Sequence, residues 1–259
     1  MLKGKTALIT GSTSGIGQGI AEALAAEGVN IVLNGFGPAV EIESLCAGLE
    51  KAHGVEVLYD PADMTRPRTI ESMMQAAIGR FGAVDILVNN AGIQHVAPVD
   101  EFPVDKWDAI LAINLSSAFH TARLALPGMK KKRWGRIINI ASAHGLVASP
   151  NKSAYVAAKH GIAGFTKSLA LEVAEQGITV NSICPGYVWT GLVERQIPDL
   201  ARTRGVSEDE VKRSLLATQP TRKFVAIAEV AALAVFLAGE AAASITGAQL
   251  PIDGGWTAH

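Results

Sequence analysis

Thiols are rare in this chain: Cys46 and Cys184 lie far apart and form no CxxC pair, which argues against a disulfide framework or a zinc site. A reducing cytoplasm is the expected compartment. An excess of one charge is also missing. With 23 Lys+Arg against 24 Asp+Glu and a net charge of −1, the surface offers no general attraction for nucleic acid or an anionic membrane. The only dense basic run, at residues 130–133, falls at the end of an expected helix, where cations complement the dipole and remain solvated. No uninterrupted apolar segment reaches the ~20 residues that span a bilayer. The first strand is expected by Lys5, which leaves no room for an export signal. The chain is therefore expected to be neither exported nor embedded. It shows no recognisable metal-ligand spacing, internal repeat, low-complexity tract or Pro/Ser linker.

What is present is a rhythm. A chain of 259 residues that is 49% hydrophobic can bury a substantial core, and one domain over 1–259 is expected. Short strand-forming runs near 5–10, 30–34, 55–59, 85–89, 136–141, 178–183 and 249–252 alternate mostly with helical stretches, the first at 16–27. That order predicts a parallel sheet of about seven strands. Several strands are continuously apolar, as in Asp-Ile-Leu-Val-Asn and Arg-Ile-Ile-Asn-Ile, so helices should cover both faces of a doubly wound, Rossmann-type α/β sheet. Residues 187–220 break the rhythm after a strand's carboxyl end, with more charge, Pro198 and Gly205. They read as a helical lid.

The turn Thr10, Gly11, Ser12, Thr13, Ser14, Gly15, Ile16, Gly17 joins the first strand to the first helix, where backbone N–H groups and the helix dipole can face a pyrophosphate. Its GxxxGxG spacing differs from GxGxxG, and a Gly-rich turn can serve chain reversal alone. After the second strand, Asn34, Gly35, Phe36 and Gly37 carry neither acid nor base, and Ser14 stands where a cation could help hold a 2′-phosphate. This favours NAD over NADP, with Phe36 flanking the adenosine. Asp63 can accept a hydrogen bond from the adenine amine or simply form a turn. Asn89, Asn90, Ala91 and Gly92 end the fourth strand, where they can line a crevice at the switch point of the sheet or make an Asn-rich turn.

Tyr155 and Lys159 are four residues apart in a helical pattern and project from one face. A nearby ammonium stabilises a phenolate and lowers a phenol's pKa, so the pair suits proton transfer. Alone it is a common surface spacing. Ser142, just beyond the fifth strand, can orient a substrate oxygen; Asn114, an amide between Ile113 and Leu115, needs hydrogen-bond partners and can hold a water that relays protons to Lys159.

These motifs in this order, with Pro185, Gly186, Tyr187, Val188, Trp189 and Thr190, resemble the short-chain dehydrogenase/reductase family along essentially the whole chain. The resemblance implies Tyr155 as general acid/base, Lys159 on the nicotinamide ribose, Ser142 on the reacting oxygen, Asn114 supporting the relay, and residues 185–190 at the nicotinamide end. It also implies a homotetramer that uses the C-terminal segment. Ala157, Gly161 and Gly164 permit close packing of the Tyr155 helix, against either its own core or another subunit.

Within the family, residues 34–37, 91–95, 142–149 and 151–155, Gln196 and residues 253–257 resemble the branch that interconverts (R)-3-hydroxybutyrate and acetoacetate. Independently, Gln94, His144, Lys152 and Gln196 can converge as donors on a carboxylate. Lys152 can equally be a solvated lysine at a helix start, and His144 a local cap. Tyr187, where many members carry Trp, and Trp256 can wall the substrate methyl. The rival readings are a reductase of 3-oxoacyl thioesters or another hydrophobic ketone, and a noncatalytic dinucleotide sensor on the same fold.

Overall fold

The structure is a computed structural model that describes residues 2–258. Seven strands, β1 (Thr6–Ile9), β2 (Asn30–Asn34), β3 (Val57–Asp60), β4 (Ile86–Asn89), β5 (Gly135–Ile140), β6 (Ile178–Pro185) and β7 (Gln249–Ile252), form one sheet. Its order is β3-β2-β1-β4-β5-β6-β7, and every pairing is parallel. The chain builds outward from β1 to β3, then crosses back to start β4 on the other side. The switch point therefore lies between the carboxyl ends of β1 and β4, where ligands of such sheets sit.

Side chains alternate across each strand, so the apolar runs split between two layers. Ala7, Ile9, Ile31, Leu33, Ile86 and Val88 face α1 (Gly15–Ala26) and a helix near the C-terminus, Ile227–Ala238; α2 (Ala39–His53) flanks that layer. Leu8, Val32, Leu87, Ile137 and Val180 face α3 (Pro67–Phe81), α5 (Ser117–Lys132) and α6 (Ser153–Val173). Between α3 and α5 lies α4 (Val104–Leu111), joined to α5 by a wide turn over Ala112–Ser116. The run Val104–Lys132 has the length and hydropathy of a membrane-crossing segment by composition alone. Here it packs on α3, α6 and the sheet. The basic run is not wholly solvated: Lys132 places Nζ 2.7 Å from the buried carboxylate of Asp85.

One row of polar side chains crosses this apolar interior. Thr121 Oγ1 donates to Asn89 Oδ1 at 2.7 Å, Asn89 Nδ2 to Asn139 Oδ1 at 2.8 Å, and Asn139 Nδ2 to Thr166 Oγ1 at 2.8 Å. Thr166 Oγ1 in turn meets Ser182 Oγ at 2.7 Å. All five are buried, yet each is satisfied. The row ties β4, β5 and β6 to α5 and α6 just below the strand ends.

Past β6, α7 (Gly191–Arg204) and α8 (Glu208–Leu215) occupy the segment expected to be a lid, and α9 is Ile227–Ala238. Thr190 caps α7, and a reciprocal Ser207/Glu210 box caps α8. Ile197, Ala201 and Val211 give the pair a small core of its own.

Candidate active site

The turn expected to cradle a dinucleotide lies at the switch point. Thr10 Oγ1 accepts from the N–H groups of Asn90 and Ala91, and Asn90 Nδ2 returns bonds to the carbonyls of Thr10 and Gly11. Asn34 Oδ1 accepts from Gly11 N–H while its Nδ2 reaches the carbonyls of Asp60 and Ala62. Thr10 and Asn34 are fully sequestered, and their roles were not read from the sequence. A buried amide at a strand end was the available signal.

The glycines of the turn divide their work. A Cβ on Gly11 would lie 2.9 Å from Ala91 Cα, and one on Gly17 would strike the Gly11 carbonyl, so both are required by packing of the turn against the β4 exit. Gly15 differs. Its φ is +58°, and the space where a Cβ would project is open except for Thr190 Cγ2 at 3.8 Å. The first turn of α1 carries no acid, and Ser14, although at the N-cap, makes no capping bond. The N–H groups of that turn thus point outward with a positive dipole end behind them, which fits a dinucleotide pyrophosphate. Thr13 Oγ1 is engaged by the Phe36 carbonyl at 2.9 Å, and the Phe36 ring is 68% exposed beside it. Asp63 is a turn former: Oδ1 accepts from Thr65 N–H and Oγ1, Arg66 lies 3.3 Å from Oδ2, and those bonds hold its carboxyl below the usual range. Ile16 and Val188 turn their side chains into the core. Pro185 is buried at the end of β6, and the N–H groups of Gly186 and Trp189 donate to the carbonyls of Ile252 and Val225.

Asn114 sits in the wide turn between α4 and α5, a single π-type turn rather than a regular helix. Its amide bonds one residue through both atoms: Ile93 N–H donates to Oδ1 at 2.9 Å and Nδ2 donates to the Ile93 carbonyl at 3.0 Å. The side chain fixes the loop after β4, just past Gly92.

Ser142, Tyr155 and Lys159 converge. Ser142 follows β5 and is buried, with Oγ accepting from His144 N–H at 3.1 Å. Lys159 is buried on α6; its Nζ donates to the Ile140 carbonyl at 2.7 Å and lies 5.5 Å from the Tyr155 ring centroid. Burial lowers the Lys159 ammonium to about 8, with Cys184 opposing. The expectation that Lys159 lowers the Tyr155 phenol is corrected: burial dominates and holds that phenol above its ordinary value, Ser142 hydrogen bonding pulls down, and Tyr187 pushes up.

Around Tyr155 the rings of His144 and Trp256 stand edge-on to one another at 4.9 Å between centroids, and His144 meets Tyr155 at 5.9 Å. Tyr187 stacks on Trp256 at 5.6 Å with 5° between planes, and Lys152 Nζ lies 5.8 Å from the Tyr187 ring centre. Gln94, in the loop after β4, and Gln196, on α7, are exposed and make no hydrogen bond to His144, Lys152 or Tyr155. Gly161 serves its own core, since a Cβ there would lie 2.8 Å from Leu115 Cδ2, whereas Gly164 faces open space.

His144 bonds Ser149 Oγ through Nε2 at 2.9 Å. Burial, then the charges of Lys152 and His160, bring its pKa from 6.5 to about 4. A depressed value means that the folded chain keeps the ring neutral while the unfolded chain takes up a proton near pH 6.5. The stabilisation is complete above that pH and is lost as pH falls toward 4, about 3 kcal/mol at most. His144→Gln should flatten the decline of Tm between pH 6.5 and 4; an unchanged slope would show that His144 does not carry it.

A parallel sheet with a helix-capped pyrophosphate cradle, and a Ser-Tyr-Lys set at its carboxyl edge, defines a dinucleotide-binding oxidoreductase. The chain belongs to the short-chain dehydrogenase/reductase family: a family model described as enoyl-(acyl carrier protein) reductase matches residues 11–257. It is 62% identical to the D-beta-hydroxybutyrate dehydrogenase of Rhizobium meliloti (strain 1021) over 256 residues, 98% of this chain and 99% of that one. It is 59% identical to the enzyme of that name from Cupriavidus necator over 260 residues, with complete coverage of both. Among solved structures, the F189W actinorhodin polyketide ketoreductase with NADPH superposes with a TM-score of 0.91 at 34% identity, covering 100% of each chain.

Proposed function

We propose that this chain interconverts (R)-3-hydroxybutyrate and acetoacetate with NAD. The observation that carries the substrate is Lys152, a half-buried ammonium held beside Tyr187 and next to the reacting end of α6. A carboxylate rewards that cation with a charge-assisted hydrogen bond; a thioester has no such group. The relatives named for D-beta-hydroxybutyrate support the same reading.

In this reading NAD, when bound, would supply the acceptor for the hydride leaving C3. Tyr155 takes the hydroxyl proton, Ser142 orients that oxygen, and Lys159 holds the nicotinamide ribose. The N–H groups of Gly15, Ile16 and Gly17, with Gly11, Thr13 and Ser14, hold the pyrophosphate. Phe36 flanks the adenosine, and Asp63 lies at the adenine. Asn90, Ala91, Gly92, Pro185, Gly186, Val188 and Thr190 line the crevice, and Asn114 keeps its loop in place. Lys152, neutral His144 and the exposed amides of Gln94 and Gln196 receive the carboxylate under a lid of residues 187–220, and Tyr187 and Trp256 enclose the methyl group. The absence of any cation in residues 34–37 supports NAD over NADP. Exposed Phe119, Leu171 and Gly164 support subunit contacts in a cytoplasmic homotetramer.

Initial rates with both enantiomers and both dinucleotides test this directly. The (R) enantiomer with NAD should be preferred, and Lys152→Ala should raise KM for it about 10- to 100-fold at unchanged NAD affinity. No turnover of either enantiomer, with reduction of a 3-oxoacyl thioester instead, would overturn the assignment.

A further inference from the structure

Three chain segments that make the proposed substrate wall meet on one buried side chain. Gln219 is completely inaccessible, although it lies in a polar stretch at the end of the lid. Its Oε1 accepts from Tyr187 N–H, 32 residues earlier at the start of the lid, and its Nε2 donates to the Lys223 carbonyl at 2.5 Å. Tyr187 continues the junction: its carbonyl accepts from Val225 N–H at 2.9 Å, and Trp189 N–H returns to the Val225 carbonyl at 2.9 Å.

The third segment is the C-terminal turn. The Gln219 amide fills the space that a Cβ on Gly186 would need, and a Cβ on Gly254, whose φ is +62°, would lie 3.4 Å from Gln219 Cβ. Thr221 N–H donates to the Gly254 carbonyl at 3.1 Å. Asp253 then folds the turn by accepting from the N–H groups of Gly255 and Thr257 and from Thr257 Oγ1. The product of these bonds is Trp256 lying flat on Tyr187.

We infer that Gln219 is a positioning residue: it closes the two ends of the lid on each other and holds the Tyr187–Trp256 wall against the reacting centre. The inference rests on the proposed reading that this wall lines the substrate. The junction needs one acceptor and one donor on the same short side chain, a demand that an amide meets and an ionised carboxylate does not. Removing the amide leaves a buried N–H and a buried carbonyl without partners at the root of the wall, the N–H on the residue whose ring stacks on Trp256. Its loss should therefore be read in substrate binding and not in dinucleotide binding.

The test compares wild type, Gln219→Leu and Gln219→Glu in the full-length protein. In Gln219→Leu, KM for 3-hydroxybutyrate should rise about tenfold while kcat and the NADH dissociation constant change less than about twofold. In Gln219→Glu, the carboxylate keeps the bond from Tyr187 N–H but faces the Lys223 carbonyl; once protonated, its hydroxyl can donate there. The ratio of its kcat/KM to that of wild type, measured for acetoacetate reduction, should climb toward one as pH falls from about 8 to about 6. Backbone hydrogen exchange gives a readout that needs no substrate. Exchange at the Tyr187 and Val225 amides should quicken at least about tenfold in Gln219→Leu, with α6 unchanged. If Gln219→Leu does not fold, the same exchange measurement on Gln219→Glu at pH 8 and pH 6 decides. Unchanged exchange at Tyr187, or a flat ratio for Gln219→Glu, would overturn the clamp. A wild type that leaves 3-hydroxybutyrate untouched while exchange quickens locally in the variant would overturn the substrate reading and leave the clamp standing.

Discussion

Tyr155→Phe is expected to lower kcat about 10³-fold in both directions while leaving NADH affinity and Tm within error of wild type. The change removes one oxygen and keeps the ring, so the edge-on contact with His144 survives. What is lost is the proton acceptor in oxidation and the donor in reduction, and a positioned acid/base of this kind supplies 10²- to 10⁴-fold. Initial rates, a fluorescence titration with NADH and thermal unfolding of the same preparation check it. Near-normal turnover in a folded variant would remove Tyr155 as the base.

Lys159→Met should cost about 10²-fold or more in kcat, and it should also change the shape of the pH profile. The ammonium is buried, brought to about 8, and held by the Ile140 carbonyl. Met keeps most of the volume without the charge. In wild type, kcat/KM for the dinucleotide, which reports the free enzyme, should show an inflection near pH 8 as Lys159 loses its proton. That inflection should disappear in the variant, and Lys159→Arg should not restore it, since a guanidinium stays charged throughout. Persistence of the inflection in Lys159→Met would assign it to another group.

The strands and their order of appearance were legible in the sequence because a buried parallel strand is a short, unbroken apolar run, and the glycines and asparagines around it end it sharply. The convergence of Ser142, Tyr155 and Lys159 was legible for a related reason: a strand end and two residues one helical turn apart leave little geometric freedom. Other features carry no local signature. The π-type turn at Ala112–Ser116 inserts its extra residue without disturbing the 3.6-residue pattern on either side, so Asn114 looked helical. Gln219 is one amide in a polar stretch, and its partner at Tyr187 is 32 residues away. The direction of the Tyr155 shift depends on desolvation by the whole neighbourhood, which a spacing of four residues cannot report. The contacts with Ala91 and Asn90 that forbid a side chain on Gly11 and Gly17 come from the β4 exit, distant in the chain, and the turn's own sequence does not report them.

The polar row through Asn89, Asn139, Thr166 and Ser182 has a consequence for making chimaeras of this enzyme with its relatives. Each member donates to or accepts from the next, so importing β5 without α6 parts Asn139 from Thr166 and strands two interior groups at about 1–3 kcal/mol each. Crossovers placed between residues 89 and 182 should yield mostly dead recombinants unless both parents spell the row alike. Junctions before Asn89 or after Ser182 pass the row on intact.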